Sequence, residues 1–174
     1  MDSVHIRPAQ ENDLPGILEI YNHAIEHTTA VYNYKAHTLA MRKQWWEEKK
    51  REGHPVLVAV SKDKVLGFAS YGPFRAWAAY KYSFESSVYI HPDFQGKGLG
   101  KKLLQQLINL AKTEKVHTLV AGIDAENQAS IGLHQKLGFK EAGHFKQVGF
   151  KFGRWLDLVF YQLLLEGPDN PEDF

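Results

Sequence analysis

Along this chain the spacing of hydrophobic residues switches between a period of two and one of about 3.6, and each switch marks an element. Val4 and Ile6 alternate with polar neighbours, as in a first strand. Asn12 and Asp13 are N-cap residues ahead of Pro15, which suits a first helical turn. Leu14, Ile17, Leu18, Tyr21, Ala24 and Ile25 then keep helical spacing on one face. Residues 28–38 are polar and aromatic and read as a loop, and Thr38 is placed to cap a second helix running to Arg51. Its Trp45 and Trp46 read as core or interface. Residues 55–61 form a short apolar strand, with residues 65–71 as its hairpin partner across Lys62-Asp63-Lys64. A loop over 72–79 leads to a strand over 83–90. Leu99, Leu103, Leu104, Leu107, Ile108 and Ala111 are the apolar stripe of a long helix. A strand over 116–123 follows, then a helix over 127–137 that stops at Gly138. Residues 139–147 and 154–164 close the chain as a hairpin. The order β-α-α-β-β-β-α-β-α-β-β predicts an α/β fold, a mixed central sheet flanked by helices.

Composition narrows the classes. The 174 residues suffice for one domain with a real core, expected over 1–166, and the tail 167–174 is rich in breakers and acids and is expected to fray. Hydrophobic residues make up 44% and charged residues 24%, which is ordinary globular material. The net charge is +1 with no long block of one sign, so neither a nucleic-acid nor a membrane surface is expected. There are no cysteines, which excludes disulfides, thiolate metal sites and a cysteine nucleophile. Residues 1–7 hold no apolar leader segment and no run reaches membrane-spanning length, so a soluble, cytoplasmic protein is expected.

The richest segment is 83–101. A strand carrying Glu85 passes through His91-Pro92 into Gln95-Gly96-Lys97-Gly98-Leu99-Gly100-Lys101, and a leucine-rich helix follows at once. Strand, glycine loop and helix together offer several backbone N–H groups to a phosphate. The spacing rejects two relatives. A dinucleotide fingerprint has a third glycine where Lys101 stands, and a Walker loop has a glycine where Gln95 stands and Ser or Thr where Lys102 stands. Glu85 just upstream is a candidate base. A carboxylate at a strand edge facing solvent is its plainer reading.

What fits is Gln-x-x-Gly-x-Gly, with Gln95, Gly98 and Gly100 in the key places. This loop resembles the pyrophosphate loop of the GCN5-related N-acetyltransferase (GNAT) superfamily. Residues 127–130 and 133–139 resemble the superfamily's second cofactor segment. Tyr21-Asn22-His23, Tyr71-Gly72-Pro73-Phe74-Arg75, residues 84–89 and residues 151–157 are similar to the phosphinothricin acetyltransferase group. Within that group the run from Val88 to Trp155 is most similar to bacterial methionine sulfoximine and methionine sulfone acetyltransferases.

The resemblance implies a GNAT fold, a homodimer, acetyl-CoA as donor, no metal, and the α-amine of a small amino acid or analogue as acceptor. It puts the cofactor on Val88, Tyr89, Ile90, Gln95, Gly96, Lys97, Gly98, Leu99, Gly100, Lys101, Asn127 and Ser130. It puts the acceptor among Asn33, Phe74, Arg75, Ala76, Trp77, Tyr80, Glu85, Ser86 and Ser87. An ammonium cannot attack a thioester, so Glu85 is expected to take its proton, directly or through a water. The Val88 N–H is expected to face the developing oxyanion. His134 stands where many members have a tyrosine. It either donates to the departing sulfur, positions water for Glu85, or is held by a structural hydrogen bond. Arg75 is expected to grip the acceptor's carboxylate, with a solvated loop arginine as the alternative. The herbicide-resistance enzymes carry a basic residue where this chain has Trp77, so a neutral sulfone or sulfoximine head is favoured over an anionic phosphinate. By the same resemblance, the aromatic and basic tip over 149–155 reaches toward the partner subunit's active site.

Three rivals stand beside this reading. His23-Ala24-Ile25-Glu26-His27 matches the zinc-peptidase pattern H-x-x-E-H, but at helical spacing both histidines face away from the apolar stripe. A module that only senses acetyl-CoA is the second. Acetylation of a protein N-terminus or lysine is the third, and it would need a more open groove than the aromatic residues near Tyr32 and Trp77 suggest.

Overall fold

Four apolar positions of the first helix and the alternating valines of two strands account for one of the two cores. The computed structural model describes residues 3–173. Met1, Asp2 and Phe174, at the ends of the expected domain and tail, lie outside the described residues. The elements are β1 (His5–Pro8), α1 (Leu14–His27), α2 (Leu39–Glu52), β2 (Val56–Ser61), β3 (Lys64–Pro73), β4 (Ser83–Ile90), α3 (Leu99–Thr113), β5 (Thr118–Asp124), α4 (Gln128–Lys136), β6 (Lys140–Lys151) and β7 (Arg154–Leu164). The seven strands form a mixed sheet in the order β1-β2-β3-β4-β5-β7-β6, and the expected element order holds throughout.

The chain divides into two compact units, one up to Ser70 together with Ser87–Leu107, the other Tyr71–Ser86 together with Ile108 onward. In the first, β2 pairs antiparallel with β1 and β3. Leu14, Ile17 and Ile20 of α1 pack with Val56, Val58 and Val60 of β2 and with Val65 and Phe68 of β3, and Trp45, Trp46 and Tyr89 lie half-buried against this core. Each aliphatic side chain fully buried here contributes about 1.5–3 kcal/mol. Ile20 is buried although the expected stripe omits it, whereas Leu18 of that stripe is only half-buried. The helix turns its face through Ile17, Ile20 and Ala24, one step round from the spacing that Leu18 and Tyr21 suggest. Asp13, buried at the entry to α1, receives both Arg7 guanidinium nitrogens at 2.7 and 3.0 Å and the Gln10 N–H at 2.7 Å. Burial pushes its carboxyl up, but these bonds win and hold it below the ordinary aspartate range. Thr38 caps α2 by accepting the Met41 N–H, as expected.

Gly67 lets β4 come close to β3. A Cβ there would stand 2.6 Å from Ile90 Cδ1 and 2.9 Å from the Tyr89 carbonyl oxygen. The second of these is backbone and cannot step aside, so any larger residue would push the cofactor-binding half of β4 outward.

In the second unit β4 runs parallel to β5, and β5 and β6 each pair antiparallel with β7. The hairpin is longer than expected, because β6 runs to Lys151 instead of ending near residue 147. Pairing slips between Phe145 and Gly149, where Gln147 has a positive φ of 54°, and then resumes with Gly149↔Leu156, Phe150↔Trp155 and Lys151↔Arg154. Asp157 Oδ1 accepts the Gln147 N–H at 2.9 Å and pins this bulge. A two-residue turn at Phe152-Gly153, both at positive φ, closes the hairpin. In the tail, Gly167 O lies 2.8 Å from His117 Nδ1, and the Glu172 N–H donates to the Tyr82 hydroxyl. Among the described residues no helix is long and apolar enough to cross a membrane.

Candidate active site

Strand β4 carries the chemistry of both units. Its pairing with β5 covers Ser83↔Thr118, Phe84↔Leu119 and Glu85↔Val120. Beyond that point β5 continues to Asp124 with β7 as its partner. Glu85 therefore sits on the last β4–β5 pair. Solvent reaches it, yet enough protein crowds the carboxyl that desolvation pushes it above the ordinary glutamate range, with the Arg75 charge pulling the other way. A carboxyl that is both accessible and raised suits proton transfer near neutral pH.

Gly122 of β5 makes room beside it. A Cβ there would lie 3.1 Å from Glu85 Oε1 and 3.4 Å from the Phe160 ring. Nothing in the sequence reading singled out Gly122. The signal was available, since a glycine inside an apolar strand run marks a close approach.

The loop after β3 is tied down at its start, where the Phe74 N–H donates to Ser83 O at 3.1 Å. Phe74 sets its ring edge-on to Tyr80 and Phe160, and Arg75 lays its guanidinium 5.2 Å over the Phe74 ring. Phe74, Arg75 and Tyr80 thus gather on the strand that bears Glu85. Ala76 is exposed, and Trp77 stands 76% exposed. Ser86 is buried with its hydroxyl donating to Val120 O, and Ser87 is half-buried.

In the first unit the outgoing half of β4 feeds the glycine loop. Val88 is half-buried, Tyr89 packs its ring on Phe68 and Tyr21, and the end of Ile90 lies over Gly67. For Tyr89 and Ile90 this leaves the backbone, not the side chain, to meet a ligand. His91 donates its N–H to Leu66 O and accepts the Asp93 N–H on Nδ1, which fixes a 3₁₀ turn over Pro92–Phe94. Gln95 reaches back to Ile90 O at 3.4 Å, and Lys97 Nζ donates to Asp93 O at 2.8 Å. These two side chains brace the loop from behind. Gly96 and Gly98 have φ of 72° and 78°, and a Cβ on either would meet no protein atom within 4 Å. The Lys102 N–H bonds to Gly98 O, so the helix begins there, and buried Leu99 anchors it. Gly100 is half-buried and Lys101 exposed. The N–H groups of the first turn lack a carbonyl one turn earlier and point, with the helix dipole, toward any bound anion.

In the second unit Asn127 caps α4 by accepting the Ser130 N–H, so its amide NH₂ is the end left to donate outward. His134 is 3% exposed, and its Nδ1 lies 2.8 Å from Ser130 O. A carbonyl can only accept, so Nδ1 carries the proton and Nε2 keeps a lone pair. Burial holds the ring below the ordinary histidine range, with the Ser130 bond opposing. At neutral pH the chemistry open to Nε2 is to accept a proton or a hydrogen bond. The rings of His23 and His27 lie 4.7 Å apart, and among the described residues no group of three His, Cys, Asp or Glu side chains is placed to hold a metal.

Comparison with known proteins agrees with this arrangement. The family model described as Acetyltransferase (GNAT) family matches residues 17–139. The L-methionine sulfoximine/L-methionine sulfone acetyltransferase of Pseudomonas paraeruginosa is 50% identical, over 94% of this chain and 96% of its own. A ribosomal-protein-alanine N-acetyltransferase from Brucella melitensis superposes with a TM-score of 0.91 at 52% identity, over 92% of this chain and 99% of that one. A phosphinothricin acetyltransferase from Sinorhizobium meliloti, solved in complex with acetyl-CoA, gives 0.92 at 34% identity, over 97% and 92%. The chain belongs to the GNAT family of acetyltransferases.

Proposed function

We propose that this enzyme moves the acetyl group of acetyl-CoA to the α-amine of a small amino acid or analogue, with methionine sulfone and methionine sulfoximine as the preferred type. Glu85 carries the reading, as an accessible carboxyl pushed above its ordinary range and set beside Arg75 and Gly122. The open cradle over Gly96 and Gly98 at the start of α3 fits a pyrophosphate, since a Cβ at either glycine would fill the space the phosphate needs. Residues 96–101 hold the pyrophosphate through backbone N–H groups, with Gln95 bracing them. Val88–Ile90 offer backbone groups to the pantetheine amides, as an added strand would. Asn127 and Ser130 border the same arm. When bound, acetyl-CoA supplies an activated acetyl group.

Glu85 takes the proton from the acceptor's ammonium, directly or through a water. The Val88 N–H stabilises negative charge at the carbonyl oxygen. Arg75 holds the acceptor's carboxylate, and Ser86, Ser87, Phe74, Ala76 and Tyr80 shape the pocket. His134, neutral and with Nε2 unprotonated, holds a water or the amine by accepting a hydrogen bond. It does not hand a proton to sulfur.

An acceptor screen tests the substrate class. Turnover should be highest with methionine sulfone and sulfoximine and lower with phosphinothricin, and Trp77→Arg should raise the phosphinothricin rate relative to the sulfone. A wild-type preference for phosphinothricin would remove the argument from Trp77. The Brucella relative favours a second reading, acetylation of a protein's N-terminal alanine. An alanine-starting peptide belongs in the same screen, and a higher kcat/KM for it than for any free amino acid would replace the proposal. Thiol release with none of these acceptors would leave only a module that senses acetyl-CoA.

The enzyme is proposed to be a homodimer. Supporting this, Phe145, Val148, Phe150, Phe152 and Trp155 on the β6–β7 hairpin are each about half exposed, more clustered apolar surface than an isolated monomer usually shows. Light scattering should give twice the chain mass, and Phe152→Glu with Trp155→Glu should halve it. A monomeric wild type would sink this assignment.

A further inference from the structure

Arg42 of α2 is 3% exposed, an unusual place for a guanidinium. It lies 4.1 Å over the Tyr21 ring and 4.5 Å over the Trp45 ring. Its one printed nitrogen contact is Nη2 to His37 Nδ1, at 3.3 Å. Its Nε has no partner, and none of the described ion pairs gives it a carboxylate. A buried cation held by two aromatic faces and one imidazole nitrogen is costly unless it serves something beyond packing.

What it serves is the state of His37. Arginine can only donate, so His37 Nδ1 must accept and its single proton stands on Nε2. Burial and the Arg42 charge both hold the ring in this neutral form. The His37 backbone is fixed as well. Asn22 of α1 donates to His37 O at 2.9 Å and accepts the His37 N–H at 2.8 Å. Helix α1 therefore fixes the main chain and helix α2 fixes the ring, and Nε2–H is left aimed at one group. That group is the side-chain amide of exposed Asn33, 3.3 Å away. The Asn33 oxygen already accepts the Tyr34 N–H at 2.8 Å. A carbonyl oxygen has two lone pairs, so a turn of the amide lets it take both Tyr34 N–H and His37 Nε2–H. The amide NH₂ then faces away from the ring as a free donor.

We infer that His37 is a positioning residue for acceptor recognition: locked by Arg42 and Asn22, it orients the Asn33 amide so that its NH₂ donates to an oxygen of the acceptor, a carboxylate or a sulfone. The inference rests on the reading of Asn33 as an acceptor-binding residue. It also gives a task to Tyr21-Asn22, which the catalytic scheme leaves unused.

Steady-state kinetics of the full chain with methionine sulfone, or the best acceptor of the screen, test it. Asn33→Ala and His37→Ala should each raise the acceptor KM about tenfold, leave kcat within about twofold and leave the acetyl-CoA KM unchanged. The double variant should be no worse than either single, because both remove one interaction. His37→Gln, which can accept from Arg42 and donate to Asn33 through one amide, should restore the acceptor KM. Asn33→Asp is at an exposed position and does not disturb the core. It keeps the oxygen and loses the NH₂, so it should be at least as damaging as Asn33→Ala. If Asn33→Ala leaves the acceptor KM unchanged, the assignment of Asn33 itself is wrong and the inference goes with it. If Asn33→Ala raises KM but His37→Ala does not, or if the two effects multiply, Asn33 binds the acceptor without His37 and the inference alone is overturned.

Discussion

Glu85→Gln is expected to lower turnover by about 10²- to 10⁴-fold near neutral pH, the range a general base supplies, while acetyl-CoA still binds. Glutamine keeps the size and the hydrogen-bonding oxygen of Glu85 but cannot take a proton from an ammonium. The expectation extends to pH. Desolvation raises the Glu85 carboxyl and the Arg75 charge opposes it. The working form of a base is the carboxylate, so kcat/KM should climb with pH through the raised pKa and fall away below it. The acid limb should therefore lie above the ordinary glutamate range. Arg75→Ala removes the opposing charge and should move that limb higher still, besides raising the acceptor KM. In Glu85→Gln the limb should vanish. Turnover of Glu85→Gln close to wild type at neutral and alkaline pH would end the assignment. An acid limb that survives in Glu85→Gln would place the titrating group elsewhere.

Much of this architecture was legible because it is written in local patterns. All six stripe residues of α3 are buried, Thr38 caps α2, and Gly138 stops α4 at a φ of 92°. Each of these depends on residues within a few positions of one another. The glycine loop was legible for the same reason, since its phosphate-binding groups are consecutive backbone N–H groups. What sequence could not carry were partnerships between distant positions. Gly122 matters because Glu85 lies beside it, 37 residues earlier in the chain. Arg42 reads as a surface helix residue until Tyr21 and His37 are found around it. The bulge that lengthens β6 depends on Asp157, ten residues beyond Gln147.

The tautomer of His134 shows how such a partnership changes chemistry. Sequence left three roles open, one of them donation to sulfur. The 2.8 Å contact between Nδ1 and Ser130 O puts the proton on the wrong nitrogen for a buried ring that also has to release one from Nε2. Its depressed pKa removes the doubly protonated form at neutral pH. The thiolate leaving group is acidic enough to depart without a dedicated donor, since thiols titrate near pH 8.5. The proton that needs an acceptor is the amine's, and Glu85 is the group raised to meet it.

Gly98→Ala should raise the acetyl-CoA KM by about tenfold or more and leave the acceptor KM unchanged, an effect of the size expected when a charge-bearing contact at a helix N-terminus is lost. The added methyl meets no protein atom within 4 Å, so a clash inside the protein cannot be the cause. Two causes remain. One is the strain of a side chain at a φ of 78°, about 1–2 kcal/mol. The other is a methyl group standing where the pyrophosphate approaches the backbone. Gly53 separates them. It ends α2 at a φ of 73°, and a Cβ there also meets nothing within 4 Å, but it lies outside the loop. Gly53→Ala should therefore lower Tm about as much as Gly98→Ala does, with no change in the acetyl-CoA KM. If both variants raise that KM alike, backbone strain explains the loss and the cradle is not where the pyrophosphate sits. If only Gly98→Ala does, the glycine is there to let a phosphate reach the N–H groups of the first turn of α3.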